Sequence, residues 1–179
     1  MFRPTAALLA VALLAACQST APARASATIA IGELHRVPMA GPAQIEGRVT
    51  ARFEGLGGFF VQDAGDGDAA TPDAVFVQVP AGLPLPAVGA HVRALGLRDD
   101  GDVVRMKGQR VDVLPTPAPA IAPRVLDAPP ADWSALAGTW VRIEAPLTLT
   151  GQHERARRGT LAASFDGRLF TPTEIARPG

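Results

Sequence analysis

Four acidic side chains lie in the stretch GGFFVQDAGDGDAATPDAVFVQVP, residues 57–80. This group is Asp63, Asp66, Asp68 and Asp73, and the stretch has no basic residue. Carboxylates can bind Ca²⁺, but an EF-hand loop requires acids at alternate positions, Gly at position six and Glu at twelve. Counting from Asp63 or from Asp66 does not give that pattern. A solvated hairpin turn is therefore the favoured interpretation, and a looser cation site on Asp66, Asp68 and Asp73 is the alternative.

The residue types that perform catalysis are not grouped in the sequence. His35, His91 and His153 are far apart and lack metal-ligand spacing. No serine lies in a nucleophile-elbow context, and no Gly-rich phosphate loop opens a helix. The sequence therefore predicts a protein that is not an enzyme, with no cofactor and no metal.

The runs that flank the acidic loop read as strands, whose side chains alternate between two faces. Alternation predicts Val49, Ala51 and Phe53 in the core of the first strand. The opposite face of three strands is then predicted to carry the candidate nucleic-acid-binding residues Arg48, Arg52, Phe60, Gln62, Phe76 and Gln78. The strand 2–3 face of an OB-fold binds oligonucleotides or oligosaccharides, with bases stacked on aromatic rings and Arg at phosphates. The alternative is that Phe60 and Phe76 form a cross-strand pair that the C-terminal part of the chain covers.

Five apolar or alternating runs separated by turn residues predict the elements that position this face. The predicted strands are Gln44–Phe53, Gly58–Asp63, Ala74–Val79, His91–Leu97 and Val103–Val113, with a turn at 98–102 and one weak helix at Thr28–His35. Five short strands favour an all-β fold, a five-stranded OB-like Greek-key barrel over residues 28–114.

A Pro-rich linker, residues 115–130, is predicted to lead into a small C-terminal β annex, residues 131–179. A helical turn at Trp133–Leu136 and strands at Thr139–Ile143 and Leu147–Thr150 are expected there. A hairpin of Thr160–Phe165 and Leu169–Thr173 should turn at Asp166 and Gly167. Four apolar residues are expected to pack the annex onto the barrel: Trp133, Leu136, Trp140 and Phe165.

The only dense basic run is HERARR, residues 153–158, between two annex strands. A solvated loop is the favoured interpretation. Contact with nucleic acid or with acidic lipid headgroups is the alternative.

The first 16 residues are typical of a bacterial signal peptide, with Arg3 followed by a short apolar run. Leu14-Ala15-Ala16-Cys17 resembles a lipobox, which implies cleavage before Cys17 and lipidation of its thiol. Cys17 is the single cysteine, so the chain cannot form an internal disulfide. Residues 17–27 then read as a lipidated Cys and a flexible tether. Gln18 favours an outer-membrane or cell-surface location for a lipid-anchored protein in a Gram-negative cell.

Residues 40–179 resemble the OB-like module and adjoining segment of secreted bacterial endonucleases whose catalytic domain is of the endonuclease/exonuclease/phosphatase type. The motifs that carry this resemblance are QIEGRVTARF at 44–53, GFFVQD at 58–63, DGD at 66–68 and TPDAVFV at 71–77. In the second half they are WVRI at 140–143, PLTLT at 146–150 and GRLFTPT at 167–173. The residues that perform the family's catalysis belong to a domain that does not follow here, so the resemblance implies a binding module without nuclease activity.

Acidic and basic residues both total 17, so net charge itself indicates no nucleic-acid partner. The residues of the strand face and the resemblance together predict a non-catalytic lipoprotein whose OB-like module binds single-stranded nucleic acid. Two alternatives stay open. The chain is a remnant of a secreted endonuclease without independent activity, or it is a periplasmic module that binds an unidentified protein.

Overall fold

The computed structural model describes residues 27–170, and the fold within them is all-β. The strands that close into a barrel are β1 (Ala43–Phe53), β2 (Gly58–Gln62), β3 (Ala74–Gln78), β4 (His91–Asp99) and β5 (Arg105–Val113). Their order is β1-β2-β3-β5-β4, with β3 and β5 parallel and the other neighbours antiparallel. A closed five-stranded barrel of this kind has the architecture of an OB-fold, so the predicted fold class is confirmed. The predicted leader, Cys17, the tether up to Ser26 and residues 171–179 lie outside the described residues.

Alternation along the strands fills the barrel interior. Phe59 and Val61 of β2 and Val75 and Val77 of β3 are buried, as their alternate positions predict. Ile45 of β1 and residues of β4 and β5 complete one apolar cluster that fills the barrel. This single core holds the strands that carry the candidate face.

A short helix, α1 (Ile31–Arg36), closes one end of the barrel. Its side chains Ile31 and Leu34 are fully buried in the barrel core. The helix lies within the predicted span Thr28–His35 except for its last residue, Arg36.

The C-terminal segment, residues 124–170, forms two small sheets. One sheet is the parallel pair β6 (Arg124–Leu126) and β7 (Val141–Ile143). The other is the antiparallel pair β8 (Thr148–Gly151) and β9 (Ala162–Ser164), with α2 (Arg155–Arg158) between its strands. A 3₁₀ turn lies where one helical turn was expected, at Ser134–Leu136.

Three sequence-based predictions differ from these elements. β4 continues to Asp99, so the predicted turn at 98–102 begins later. β6 lies inside the segment predicted as a Pro-rich linker. β9 pairs with β8, and Leu169 and Phe170 belong to no strand, whereas a hairpin around Asp166 was predicted. The rest of that predicted second strand lies outside the described residues.

Between residues 27 and 170, no helix has the length and apolar character needed to cross a membrane.

Candidate functional site

Three phenylalanines form a cluster on the outer face of β1, β2 and β3. Phe60 pairs directly with Phe76 across β2 and β3, and their ring centroids are 5.2 Å apart at an interplanar angle of 66°. Phe53 packs edge-on against Phe60 with centroids 6.0 Å apart. Edge-to-face packing is a favourable arrangement of aromatic rings, so the Phe cluster (Phe53, Phe60 and Phe76) is held in a defined geometry.

A β-bulge in β1 decides which side chains of that strand join the cluster. Val49 pairs with Val61, but the next pair is Ala51 with Phe60, so Thr50 is an extra residue. An extra residue reverses the side-chain alternation beyond it. The prediction that Phe53 faces the core is therefore wrong, and the Phe53 residue is 43% exposed.

The same bulge moves Arg52 off the predicted face. Arg52 pairs with Phe59, whose side chain points into the core, so Arg52 lies on the side opposite Phe60. At the barrel end its guanidinium forms a short ion pair with Glu54. The predicted placement of Arg52 beside Phe60 is thus wrong, whereas Arg48 precedes the bulge, pairs with Gln62 and stays on the Phe60 face.

The Phe cluster lines an open apolar groove of about 500 Å³. We call this the Phe groove. Its other walls come from the loop before β5 and from the C-terminal segment, and its lining includes Leu56, Gln78, Val103, Arg105, Ala137 and Gly138. A concave, mostly apolar site with a few polar groups is the usual form of a ligand-binding pocket.

Two glycines bring backbone against the rings of the cluster. A Cβ at Gly138 would lie 2.6 Å from Phe60 Cε1, and the Gly138 φ is +72°. Phe76 covers Gly58 on the paired strand in the same way, since a Cβ at Gly58 would overlap its ring. The C-terminal segment therefore forms one wall of the Phe groove through Gly138 and does not close it.

Gln62 is the predicted face residue that the C-terminal segment covers. Its side chain accepts a hydrogen bond at Oε1 from the Trp140 backbone N–H at 2.9 Å, and the residue is only 5% exposed. Gln62 thus lies on the predicted outer face of β2, but the C-terminal segment covers it. Gln78, at the other end of the face, is exposed and lines the Phe groove. The face is thus covered at one end and open at the other.

Two guanidiniums of the barrel form no ion pair with any described carboxylate, and both lie on the face of the Phe cluster. Arg105 is the neighbour of Phe76 in the parallel β3–β5 pairing and lines the Phe groove. Arg48 lies on β1, so the rings on β2 and β3 are between the two cations. The other basic side chains on β1, β4 and β5 each pair with a carboxylate: Arg52, Arg93, Arg98, Lys107 and Arg110.

The acidic loop after β2 holds α1 in place. Asp63 accepts a hydrogen bond at Oδ2 from the Ile31 backbone N–H at 2.8 Å. Arg36 bridges Asp66 at 2.9 Å and Asp68 at 2.7 Å. Asp63, Asp66 and Asp68 each also accept a hydrogen bond from a backbone N–H two residues ahead, as Asx turns do. These contacts account for a loop that the sequence marked only as a turn.

Asp73 and His35 are the titratable groups of this region whose pKa values burial shifts. Burial raises the pKa of Asp73, and the nearby carboxylates of Asp63 and Asp66 raise it further. Its Oδ1 is buried with no hydrogen-bond partner among residues 27–170. Burial lowers the pKa of His35, although its Nε2–H donates to the Ala74 carbonyl at 2.9 Å. Within the described chain, no group of three or more acidic, His or Cys side chains is arranged to hold a metal ion.

The residues of the Phe groove that sequence reasoning missed include Phe53, Arg105 and Gly138. Phe53 was assigned to the core because the bulge has no clear sequence signal. Arg105 was placed inside a strand predicted to begin at Val103, so its position beside Phe76 was not considered. Gly138 precedes the strand predicted at Thr139–Ile143, and its only sequence signal is glycine itself, which tolerates a positive φ and a close backbone approach.

No protein-family model matches the sequence, and no curated protein matches it. The candidate site therefore stands on its own geometry. That geometry combines aromatic rings, one open apolar groove and two guanidiniums that pair with no described carboxylate, which suits binding of a flat ring with adjoining negative charge.

Proposed function

We propose that the barrel is a non-catalytic OB-like module that binds single-stranded nucleic acid at the Phe groove. The observation that carries this proposal is the position of three aromatic rings on the β1–β3 face, which is the oligonucleotide-binding face of OB-folds. A base inserted in the groove would contact the rings of the Phe cluster and the amide of Gln78.

The two guanidiniums supply the electrostatic part of the proposal. Arg48 and Arg105 flank the rings and make no ion pair with a described carboxylate, so their hydrogen-bond donors are available to phosphates. Phosphate contacts position a strand and give salt-dependent affinity, while base stacking is tolerant of sequence. We therefore expect binding with little base preference.

The acidic loop limits the path that a bound nucleic-acid strand can take. Asp63, Asp66 and Asp68 bind α1 at one end of the barrel, where their carboxylates would repel a phosphate backbone. A bound strand should therefore run across the face between Arg48 and Arg105 and avoid the loop.

The direct test is fluorescence anisotropy of a labelled oligo-dT with the full chain carrying Cys17→Ser. We expect the affinity for oligo-dT to fall as the salt concentration rises. Phe60→Leu and Phe76→Leu should each weaken binding by the free energy of one base–aromatic stack, about 1–3 kcal/mol. Arg105→Ala should reduce the slope of log affinity against log salt by about 0.7. The absence of salt-dependent binding by the Cys17→Ser protein would overturn the proposal.

Two matched controls separate the site from general charge. Arg52→Ala removes a cation of the same strand as Arg48 but on the opposite side, and Arg110→Ala removes a cation of β5 paired with Asp112. Both substitutions should leave oligo-dT affinity and its salt slope nearly unchanged. Equal losses for Arg52→Ala and Arg105→Ala would mean that binding follows net charge and not this face.

The cellular setting belongs to the same proposal. We propose that Cys17 is lipidated and anchors the module at the outer membrane or cell surface. The motif resemblance further supports descent from the OB-like module of secreted endonucleases. Metabolic labelling with a radioactive fatty acid tests the anchor, because label incorporation should disappear in Cys17→Ser.

A further inference from the structure

The hairpin of β8, α2 and β9 with the residues that follow it, residues 148–170, exposes large apolar side chains to solvent. We call this region the basic hairpin. Leu149 is 65% exposed and Leu169 is 64% exposed, and Leu161 and Phe170 are about half exposed. A two-stranded hairpin is at best marginally stable in water, and it cannot cover such side chains by itself. The exposed apolar surface therefore indicates a partner of the hairpin.

The charge of the basic hairpin indicates the chemistry of that partner. Four arginines (Arg155, Arg157, Arg158 and Arg168) are set against two acidic residues, Glu154 and Asp166. Arg155 and Arg157 form no ion pair with any described carboxylate. The barrel strands and their loops, residues 43–113, instead carry ten acidic and seven basic residues. The positive charge is thus concentrated on the same part of the chain as the exposed leucines.

We propose that the basic hairpin docks on the surface of an anionic phospholipid bilayer. Leu and Phe side chains beside Arg are the composition of segments that lie in the bilayer interface, with the apolar groups at the acyl boundary and the cations at headgroups. Arg168 lies 4.9 Å above the ring of Phe170, a pairing that lets one cation stay at headgroup level while the ring goes deeper.

The aliphatic side chains favour a bilayer over nucleic acid as the partner. A leucine has no π-face on which a base could stack, so Leu149, Leu161 and Leu169 would gain little from a nucleic-acid strand. Burial of the same side chains at the acyl boundary removes apolar surface from water, which is the main favourable term for membrane-surface binding. This inference does not depend on nucleic-acid binding by the Phe groove or on lipidation of Cys17.

A polarity-sensitive fluorophore on one cysteine tests the proposal. Cys17 is the only cysteine, so a Cys17→Ser background with Leu161→Cys gives a full chain with a single label. We expect a blue shift on vesicles that contain phosphatidylglycerol and little shift on phosphatidylcholine vesicles. Arg155→Ala with Arg157→Ala should weaken the partition of the labelled protein by roughly tenfold or more.

A matched label on the barrel controls for binding by other parts of the chain. Leu83→Cys in the same background is a similarly exposed leucine, at 54%, between β3 and β4. It should show no shift with either vesicle. No shift at position 161 on anionic vesicles, or equal shifts at positions 83 and 161, would overturn the proposal. A shift at position 161 with single-stranded DNA but none with vesicles would assign the hairpin to nucleic acid instead.

Discussion

The barrel buries large apolar side chains in one core, whereas the C-terminal segment leaves most of its own exposed. The barrel gathers residues of α1 and all five strands into one buried cluster. In the C-terminal segment, residues 124–170, the buried large apolar side chains are Leu126 and Leu136. The large apolar side chains of that segment left exposed are Val125, Trp133, Trp140, Ile143, Leu147, Leu149, Leu161, Leu169 and Phe170.

This difference separates a region built around a core of its own from a region with few buried apolar side chains. Closure of the barrel gives each of its strands a paired neighbour on both sides and surrounds the core. Each sheet of the C-terminal segment has two strands, so within residues 27–170 no further strand pairs with either edge. The segment is attached to the barrel through Gly138 at Phe60 and Trp140 at Gln62. The attachment at Gly138 forms part of the Phe groove, and most large apolar side chains of the segment stay exposed.

The largest expected loss of stability comes from removal of the Phe59 ring from the barrel core. Phe59→Ala should lower the free energy of unfolding by about 3–5 kcal/mol, because the ring is fully buried at the centre of the barrel. Urea denaturation followed by circular dichroism measures the change. Leu149→Ala in β8 is the control and should cost less than about 0.5 kcal/mol. Similar losses for the two variants would mean that the C-terminal segment has a core of its own.

The second test breaks the attachment between the two regions. Gly138→Ala should cost about 1–3 kcal/mol for a non-Gly residue at φ +72°, and further free energy because its Cβ would overlap the Phe60 ring. Gly159→Ala is a matched control, since Gly159 has φ +69° and open space around it. The excess cost of Gly138→Ala over Gly159→Ala measures the contact with Phe60. Equal costs for the two variants would mean that the loss comes only from the backbone conformation and that the contact with Phe60 adds nothing.

The sequence predicts the barrel better than it predicts the C-terminal segment. The barrel strands were predictable because each alternates apolar residues toward a core and ends at turn residues. The exception is the bulge at Thr50, a good strand residue with nothing to mark it as extra, and it exchanges the faces of Arg52 and Phe53. The pairing of β9 with β8 was missed because Asp166-Gly167 gives a strong local turn signal. Three-residue strands without a buried face have no alternation that can outweigh such a signal.

The third test concerns aromatic packing inside the C-terminal segment. Trp133 and Phe165 have ring centroids 6.2 Å apart at a tilted angle of 48°, and Trp133 is more than half exposed. Trp133→Ala should therefore cost about 0.5–1.5 kcal/mol, well below the loss expected for Phe59→Ala. Urea denaturation measures both. A loss near that of Phe59→Ala would contradict the view that this segment has little packing.

The smallest expected effects come from one carboxylate in each region. The two substitutions should change stability at pH 7 in opposite directions. Burial raises the pKa of Asp73, so its protonated form favours the fold, and stability from it is lost as pH rises through the folded pKa. Asp73→Asn should therefore raise stability at pH 7, with the gain disappearing below about pH 4. Hydrogen bonds from Ser134 Oγ–H and N–H lower the pKa of Asp132, whose stabilisation is present above the unfolded pKa and lost as pH falls through the folded one. Asp132→Asn should thus slightly lower stability at pH 7 and match the unsubstituted protein in acid. Urea midpoints between pH 3 and pH 7 measure both changes, and the same sign for both variants would contradict the raised pKa of Asp73.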